Sequence, residues 1–394
     1  MTEIAFWGSL ALVLYAYFGY PCALLALSLV RHHTVKKGRE TPRVSFIITA
    51  RNEAARIQQK IENTLGQDYP SDLLEIIVAS DCSTDATDEV VRSCGDRVRL
   101  VRSTERRGKE AAQRLAIEAS SGEILIFSDV ATTLAPDGVS SMVSNFSDPA
   151  VGCVSSVDRF IDPDGRVSGE GAYVKYEMFL RTLESRVNSL VGLSGSFFAA
   201  RHGVCLRWSE TRPSDFSTLL NTVDAGLRGV LDLETAGYYT NLADDSREFQ
   251  RKVRTVVRGI GALAGNMRML NPMRYGLFSW QLASHKLCRW LVPAALIVAW
   301  LSNALLIFQS HLYLATMAAQ FAFYLAAVGG IWTRNPALRI PAFFLVVNAA
   351  IATAWLRYAR GERMTTWDPS KRGQPGIRDQ ASGIGAVSGI SGNS

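Results

Sequence analysis

The stretch "VSFIITARNE", residues 44 to 53, begins as an unbroken apolar and β-branched run and ends in polar residues. Such a run is typical of a buried strand. "LEIIVASD" (74–81) and "EILIFSD" (123–129) have the same form, and helical patterns such as 53–67, 84–94 and 109–120 separate the strand-like runs. This alternation predicts an α/β, Rossmann-like domain with a mostly parallel sheet.

Polar side chains follow three of these predicted strands. Ligands of such sheets bind beyond the carboxyl ends of the strands. Each acid could, by itself, be a turn or helix-capping residue, but three converging strand ends favour a binding site. The candidate binding residues at these ends are Ala50, Asn52, Glu53, Asp81, Ser128 and Asp129.

Long uncharged apolar runs lie only towards the two ends of the 394-residue chain. The runs come close to or reach the length that crosses a bilayer, and the first is too long for a secretory signal. We expect it to be a retained anchor, and the chain to be a membrane protein with an inserted globular domain. The runs are Ile4–Val30, Leu291–Phe308, Leu312–Thr333 and Ile340–Leu356.

Positive charge flanks the middle domain on both sides, in "RHHTVKKGRE" (31–40) and "HKLCRW" (285–290). The positive-inside rule therefore predicts a multi-pass protein of the inner (plasma) membrane with a cytoplasmic middle domain. The six cysteines have no paired spacing, so we assign them no disulfide or metal role. The net charge of the chain is +6. The basic residues cluster near the membrane ends and have no interleaved aromatic residues, which argues against nucleic-acid binding.

Two later motifs extend the candidate site. "LSGS" (193–196) is a small-residue turn, and "RPSD" (212–215) opens a helical pattern. Farther on, residues 249–270 place apolar side chains on one face and cationic side chains on the rest. An amphipathic basic helix beside membrane spans is typical of the lipid interface.

These landmarks together resemble an inverting family 2 glycosyltransferase with a GT-A fold, in the membrane-integrated branch that includes cellulose and hyaluronan synthases. The resemblance covers roughly residues 42 to 260. It rests on "ITARNEAARI", "IIVASDCSTDAT" and "RRGKEAAQRLAIEASSGEILIFSDV", which are similar to the family's nucleotide motifs and to its Asp-x-Asp strand.

The resemblance implies roles for individual residues of this chain. Asp81 matches the acid that bonds the uracil of a UDP-sugar donor, and Glu53 a residue near the ribose. Lys109 matches a basic residue close to the nucleotide, and Asp129 the first acid of Asp-x-Asp. Ser194, Gly195 and Ser196 resemble the acceptor-site stretch, Asp215 the general base, and Gln250, Arg251 and Arg254 the diphosphate-binding Gln-x-x-Arg-Trp segment.

The chain departs from the family pattern at three points. Ala131 replaces the second metal-contacting acid, Ser214 stands where an acid often precedes the base, and "QRKVRT" (250–255) has no tryptophan. These differences weaken the expectation of long processive synthesis more than that of glycosyl transfer.

A metal ion remains the expected cofactor. Mg²⁺ or Mn²⁺ can be held by Asp129 alone, with diphosphate oxygens and water as the other ligands. In the alternative, Asp129 bonds the sugar or ribose and the cations Arg251, Lys252 and Arg254 neutralise the diphosphate. The basic helix could equally serve to attract anionic lipid.

On the acceptor side, a carboxylate has to take the hydroxyl proton. Asp215 is the candidate, with capping of the next helix as the alternative role. One base and attack from the face opposite the diphosphate would invert the anomeric carbon without a covalent intermediate.

The predicted organisation has five parts. These are an N-terminal transmembrane anchor (1–31), a GT-A domain (42–245), amphipathic interface helices (246–286), C-terminal transmembrane helices (287–357) and a basic tail with a disordered end (358–394). Three spans after the domain would put this tail outside, against its positive charge, so we expect Ile340–Leu356 to re-enter or lie flat. The tail could then fold over the active site.

The expected function is the building or extension of a cell-surface polysaccharide from a nucleotide-sugar, with or without translocation. The expected partners are the donor, a glycan or lipid-linked acceptor and membrane lipids. Transfer of one sugar to a lipid carrier or glycolipid is the alternative enzyme function. An inactive membrane scaffold or transporter is the alternative of another class, although few intramembrane charges argue against an ion-coupled transporter.

Overall fold

The computed structural model of the protein describes residues 1–161, 172–240, 245–333 and 335–364. The chain divides into two compact units. Residues 33–243 form one, called the sheet unit below; residues 1–32 and 244–364 form the other, called the helical unit. The basic tail from residue 365 onward, including Trp367, lies outside the described residues.

An eight-stranded sheet organises the sheet unit, in the order β3-β2-β1-β4-β7-β6-β8-β5. The four strands from β3 to β4 are parallel, whereas β7 runs antiparallel to both of its neighbours and β5 runs antiparallel to β8. The strands are β1 Val44–Ala50, β2 Leu74–Ser80, β3 Val98–Arg102, β4 Ile124–Asp129, β5 Thr133–Leu134, β6 Val151–Ile161, β7 Phe197–Arg201 and β8 Arg228–Thr240.

Helices cover both faces of this sheet, so β1 is buried along its whole length. Alternate side chains of β1 enter two separate apolar clusters: Phe46 and Ile48 pack with Ile61, and Ile47 packs with Ala116. This two-sided burial explains why the strand is a continuous apolar run. The helices are Ile57–Leu65, Thr87–Ser93, Lys109–Ala119, Gly138–Ser144, Ala172–Val187, His202–Cys205 and Ser214–Asp224.

The strand register sets the position of the candidate site. Ala50 at the end of β1 is opposite Ser80 at the end of β2, and Thr49 is opposite Asp129 at the end of β4. The polar segments that follow these strands therefore leave the sheet at one edge, as the sequence predicts. The predicted α/β fold with a mostly parallel sheet is confirmed.

In the described part of the helical unit, four helices are long and apolar enough to cross a membrane. One of them, Arg339–Ala359, is a continuous helix of 21 residues. Its length and composition allow a full span, and the expectation that it re-enters or lies flat stays a prediction. The four helices are Thr2–Val30, Leu277–Leu306, His311–Thr333 and Arg339–Ala359; the shorter helices of the unit are Asp245–Ala264 and Pro272–Tyr275, and Met267–Leu270 forms a 3₁₀ turn.

The predicted amphipathic helix is Asp245–Ala264. Its apolar side chains Val253 and Val257 are buried against Ala350 and Ala354 of Arg339–Ala359. This part of the apolar face thus packs on another helix of the same unit, where the sequence alone suggested lipid.

Candidate active site

The ammonium of Lys109 joins two parts of the site. Its Nζ lies 2.5 Å from Asp129 Oδ1 and 2.9 Å from the carbonyl oxygen of Gly195. The backbone N–H of Asp129 in turn donates to the carbonyl of Ser196 at 3.1 Å. Lys109 opens the helix Lys109–Ala119 and its side chain is 9% exposed, so little water competes for these bonds. The predicted nucleotide-side residues therefore meet the predicted acceptor stretch directly.

Asp81 is fully buried just beyond β2. Its Oδ1 accepts hydrogen bonds from the backbone N–H groups of Arg107 and Gly108, both at 3.0 Å, and its own N–H donates to Ala50 O at 3.0 Å. Oδ2 is buried without a hydrogen-bond partner in the described part of the chain. A buried carboxylate oxygen of this kind calls for a donor.

Asn52 and Glu53 fix the turn after β1. Asn52 has a left-handed backbone (φ 51°), which asparagine tolerates, and its Oδ1 accepts from the Thr84 N–H at 2.8 Å. The Glu53 N–H donates to Thr87 Oγ1, and its carboxylate pairs with Arg56 at 2.7 Å. Burial raises the pKa of Glu53, and the Arg56 guanidinium offsets only part of that effect. These contacts hold the turn after β1 in place.

Ala50 and Ser128 take part mainly through their position. Both are buried at strand ends, and the Ser128 hydroxyl donates to the carbonyl of Asp129 at 3.3 Å. Their predicted roles in donor binding stay predictions.

Asp215 lies in the first turn of the helix Ser214–Asp224, where Pro213 is the N-cap and no side chain caps the helix. The alternative capping role of Asp215 is therefore wrong. A Cβ built on Gly195 would lie 3.3 Å from Asp215 Oδ2, so the carboxylate is adjacent to Gly195. Through Gly195 and Lys109, Asp215 is linked to Asp129.

Asp158, which the sequence analysis does not single out, holds the predicted acceptor stretch. Asp158 Oδ1 accepts from the hydroxyls of Ser194, at 2.6 Å, and Ser196, at 2.8 Å. Ser155 Oγ accepts from the Ser194 N–H at 2.7 Å and from Arg181 at 2.6 Å. The two serines are therefore held from β6, and their hydroxyls face a carboxylate.

A second set of residues that the sequence interpretation missed holds the backbone after Asp129. Lys60 Nζ donates to Thr132 O at 2.6 Å, and the Asn63 amide bonds both the N–H and the C=O of Leu134 at 2.9 Å. Gln67 bonds the backbone farther along this segment. Lys60 and Asn63 lie on the helix Ile57–Leu65 and Gln67 follows its end, and no local sequence signal marks these contacts.

Lys60 is itself a buried cation, 3% exposed, with its Nζ 5.3 Å from the Phe46 ring centre. Burial lowers the pKa of Lys60 to about 7, an effect that the charge of Asp129 opposes. The neighbourhood of Asp129 thus contains two lysines, one in contact and one beneath the loop.

Asp129 can hold a divalent ion only with help from the substrate. Among the described residues, no group of three or more His, Cys, Asp or Glu side chains could hold a metal ion, and Asp129 Oδ1 is bonded to Lys109. One carboxylate with phosphate oxygens and water is nevertheless an ordinary Mg²⁺ ligand set. The donor set fits an ion bound together with a diphosphate.

The predicted diphosphate-binding residues Gln250, Arg251 and Arg254 lie on the helix Asp245–Ala264 of the helical unit. Arg251 Nε and Glu248 Oε2 are 2.8 Å apart, and Lys252 also pairs with Glu248. Burial of Glu248 would raise its pKa, but the bonds and charges of the two cations lower it to about 2. The diphosphate role of these residues stays a prediction.

Comparisons with known proteins bear on the class of the molecule. Residues 45–205 match the Glycosyl transferase family 2 model. The chain is 32% identical over 141 residues to Glycosyltransferase AglE of Haloferax volcanii, which is 35% of this chain and 45% of that protein. It is 33% identical over 130 residues to Succinoglycan biosynthesis protein ExoO of Rhizobium meliloti, 32% of this chain and 36% of that protein. The chain therefore matches less than half the length of either relative.

A solved structure has a similar fold over nearly the whole chain. It is the mannosyltransferase PcManGT from Pyrobaculum calidifontis in complex with GDP-Man and Mn²⁺, with a TM-score of 0.74 and 22% identity. The similarity covers 92% of this chain and 100% of that one.

The similarity to this structure shows a GT-A-like fold with a mixed, mostly parallel sheet. Residues 45–205 are similar to the Glycosyl transferase family 2 model, and four helices of the described residues are long and apolar enough to cross a membrane.

Proposed function

We propose that the chain is an inverting hexosyltransferase that uses a nucleotide-sugar, with UDP as the expected nucleotide. One observation carries the proposal: Lys109 bonds both Asp129 and the carbonyl of Gly195, while Asp215 is adjacent to the same glycine. A donor-side carboxylate and a candidate base therefore both lie near one short stretch of backbone. The structural neighbour solved with GDP-Man makes a GDP-linked sugar the alternative donor.

The donor nucleotide would bind at the carboxyl edge of β1, β2 and β4. Asp81 supports this because its buried Oδ2 needs a hydrogen-bond donor, and a nucleobase N–H is a suitable one. The diphosphate would then lie towards Asp129 and Lys109, whose ammonium can neutralise part of the leaving-group charge. A divalent ion, bound by Asp129 together with phosphate oxygens, would supply further neutralisation of that charge.

Asp215 would take the proton from the acceptor hydroxyl as that hydroxyl attacks the anomeric carbon. A general base contributes about a hundred- to ten-thousand-fold to such reactions. The half-buried carboxylate makes no side-chain hydrogen bond within the described ranges, so it is available to accept one from an acceptor. Attack opposite the diphosphate would convert an α-linked donor into a β-linked product.

The acceptor would be a glycan or a lipid-linked sugar at the inner membrane face, with the sheet unit in the cytoplasm. Four apolar helices and the basic flanks support this arrangement. A polysaccharide is the leading product, with or without translocation. Single transfer to a lipid carrier is the second candidate, because "QRKVRT" lacks the tryptophan of the processive motif.

A donor screen tests the proposal. Purified full-length protein is incubated with UDP- and GDP-sugars, with Mg²⁺ or Mn²⁺ and with a chelator, and release of the nucleoside diphosphate is measured. We expect turnover with one donor that the chelator lowers. If no donor gives turnover even when membrane extract is added as a source of acceptor, the inactive scaffold is favoured. If the chelator leaves turnover unchanged, the reaction does not require a metal ion. Labelled product size separates polymer from single transfer.

A further inference from the structure

The loop that leads into the Asp215 helix is anchored on the donor side of the site. Residues 206–213, called the docking loop here, connect the helix His202–Cys205 to the helix Ser214–Asp224. The loop has no regular secondary structure of its own. Asp215 lies two residues beyond the loop, in the first turn of the helix that follows it.

Trp208 is the first anchor. Its Nε1 donates to the carbonyl oxygen of Glu110 at 2.8 Å, in the first turn of the helix that Lys109 opens. Its ring stacks on Phe127 with 5.1 Å between ring centres, and Phe127 stacks on Phe198 at 4.8 Å. Phe127 is two residues before Asp129. The loop thus sits on the strand and the helix that supply the donor-side lysine and carboxylate.

Glu210 is the second anchor. One carboxylate oxygen pairs with the guanidinium of Arg107, and the other pairs with Arg114 at 2.9 Å. Arg107 is also a residue whose backbone N–H donates to Asp81 Oδ1. The Glu210 side chain is 19% exposed, although both arginines are more open. Arg107 therefore contacts Asp81 through its backbone N–H and the docking loop through its side chain.

These contacts form a closed path, which leaves the 107–109 turn at Arg107 and returns to the same turn at Lys109. From Asp81 the path runs through Arg107 to Glu210 and along the docking loop to Asp215. It returns from Asp215 past Gly195 to Lys109, which bonds Asp129. Backbone or side-chain movement at the 107–109 turn would reach both the donor residues and the base.

We infer that the docking loop positions the base relative to the donor side of the site, with Glu210 as its main positioning residue. The inference rests on the proposed function, specifically on Asp215 as the base. The arginine partners of Glu210 are 58% and 50% exposed, and ion pairs with exposed partners contribute little to stability, so the fold should tolerate the loss of these pairs. Its effect is on the geometry of Asp215, where a displacement of about 1 Å can lower a rate about a hundredfold.

The chain offers a matched control for this inference. Glu118 also pairs with Arg114, at 2.9 Å, but it lies on the same helix, and within the described ranges no ion pair joins it to the docking loop. Glu210→Gln removes the charge that holds both arginines, whereas Glu118→Gln removes only the local pair. Arg114→Met breaks one arm of the Glu210 contact and leaves Arg107 in place.

The experiment measures kcat for sugar transfer, the acceptor KM and the Kd for the nucleoside diphosphate in the full-length protein. For Glu210→Gln we expect kcat to fall about tenfold, with the nucleotide Kd and the thermal midpoint as in the wild type. Glu118→Gln should match the wild type, and Arg114→Met should fall between the two.

Asp215→Asn, measured alongside, separates the two levels of the argument. An inactive Asp215→Asn with a fully active Glu210→Gln would overturn the docking-loop inference and leave the base in place. An active Asp215→Asn would overturn the base assignment and the inference with it. A Glu210→Gln variant that loses nucleotide binding in step with kcat would also overturn the inference, since the residue would then serve the donor site alone.

Discussion

Replacement of Gly195 by alanine should slow sugar transfer without weakening the fold. A Cβ at position 195 would lie 3.3 Å from Asp215 Oδ2 and 3.7 Å from its Cγ. The first distance is tighter than ordinary contact, which begins at 3.4 Å. The carboxylate is the end of a side chain, so it can rotate away at small cost. Stability is then preserved while the base moves.

The size of the effect follows from that distance. The neighbour has to give by a few tenths of an ångström. A misplacement of about 1 Å can cost about a hundredfold in rate, so proportionate scaling gives a loss of about three- to fivefold in kcat. Gly195→Val adds two methyl groups at the same point and should lower kcat further. The nucleotide Kd should stay unchanged, because the substitution adds nothing beside Asp81.

Gly203→Ala is the control, since a Cβ there would have no atom within 4 Å. The assay compares kcat, nucleotide Kd and thermal midpoint of the three variants with those of the wild type. A Gly195→Val enzyme as fast as Gly203→Ala would refute the adjacency of Asp215 to the reacting centre.

Three further predictions concern the donor side, the acceptor stretch and the buried lysine. Asp129→Asn removes the charge partner of Lys109 and the one candidate metal ligand, so turnover should fall at least about a hundredfold and no longer respond to added Mn²⁺; a metal response that persists in this variant would rule out Asp129 as the ligand. Asp158→Ala leaves the hydroxyls of Ser194 and Ser196 without their acceptor, so the acceptor KM should rise while donor hydrolysis continues; an unchanged acceptor KM would assign Asp158 a purely structural role. Burial lowers the pKa of Lys60 to about 7 from an ordinary 10.5, so above pH 7 the unfolded chain binds a proton that the folded chain has released. The free energy of unfolding should therefore rise with pH between 7 and 10.5, by up to about 1.4 kcal/mol per pH unit. Denaturant titrations from pH 7 to 9 should find this rise in the wild type and a flatter profile in Lys60→Met; parallel profiles would contradict the prediction.

The donor edge could be predicted from the sequence because its determinants are local. Each parallel strand is an apolar run that ends in polar residues, and the pairing of Ala50 with Ser80 and of Thr49 with Asp129 follows from strands of matched length. Asp81 and Asp129 were predictable for this reason. Asp215 required the resemblance to a known family, since an acid in a first helical turn is ordinarily a stabilising charge near the helix N-terminus.

The remaining parts of the site depend on contacts between distant segments. Asp158 bonds serines 36 and 38 residues later in the chain, and its own strand gives no local sign of a partner. Glu210 lies on an irregular loop, where no periodicity identifies a contact. The two-residue strand β5 is too short for any pattern, and its place is set by pairing with Gly237 and Tyr238. Tertiary packing decides such positions.

The burial of Lys60 is a further feature that the sequence pattern does not indicate. In the sequence this lysine belongs to the polar side of an amphipathic helix, where solvent is the expected environment. In the fold it is buried under the loop that follows Asp129, because that irregular backbone needs a donor at Thr132 O. An isolated helix pattern cannot distinguish a solvated lysine from one that satisfies a distant carbonyl.

The central claim is that acids from separate strands meet around one activated sugar, with the base on the far side of Gly195. An experimental structure of the full-length protein with UDP and Mn²⁺ tests it most directly. The account predicts the uracil within hydrogen-bond distance of Asp81 and the diphosphate beside Asp129 and Lys109, with Asp215 facing the open side of the bound nucleotide. A nucleotide bound away from this edge, or a diphosphate in contact with Asp215, would contradict it.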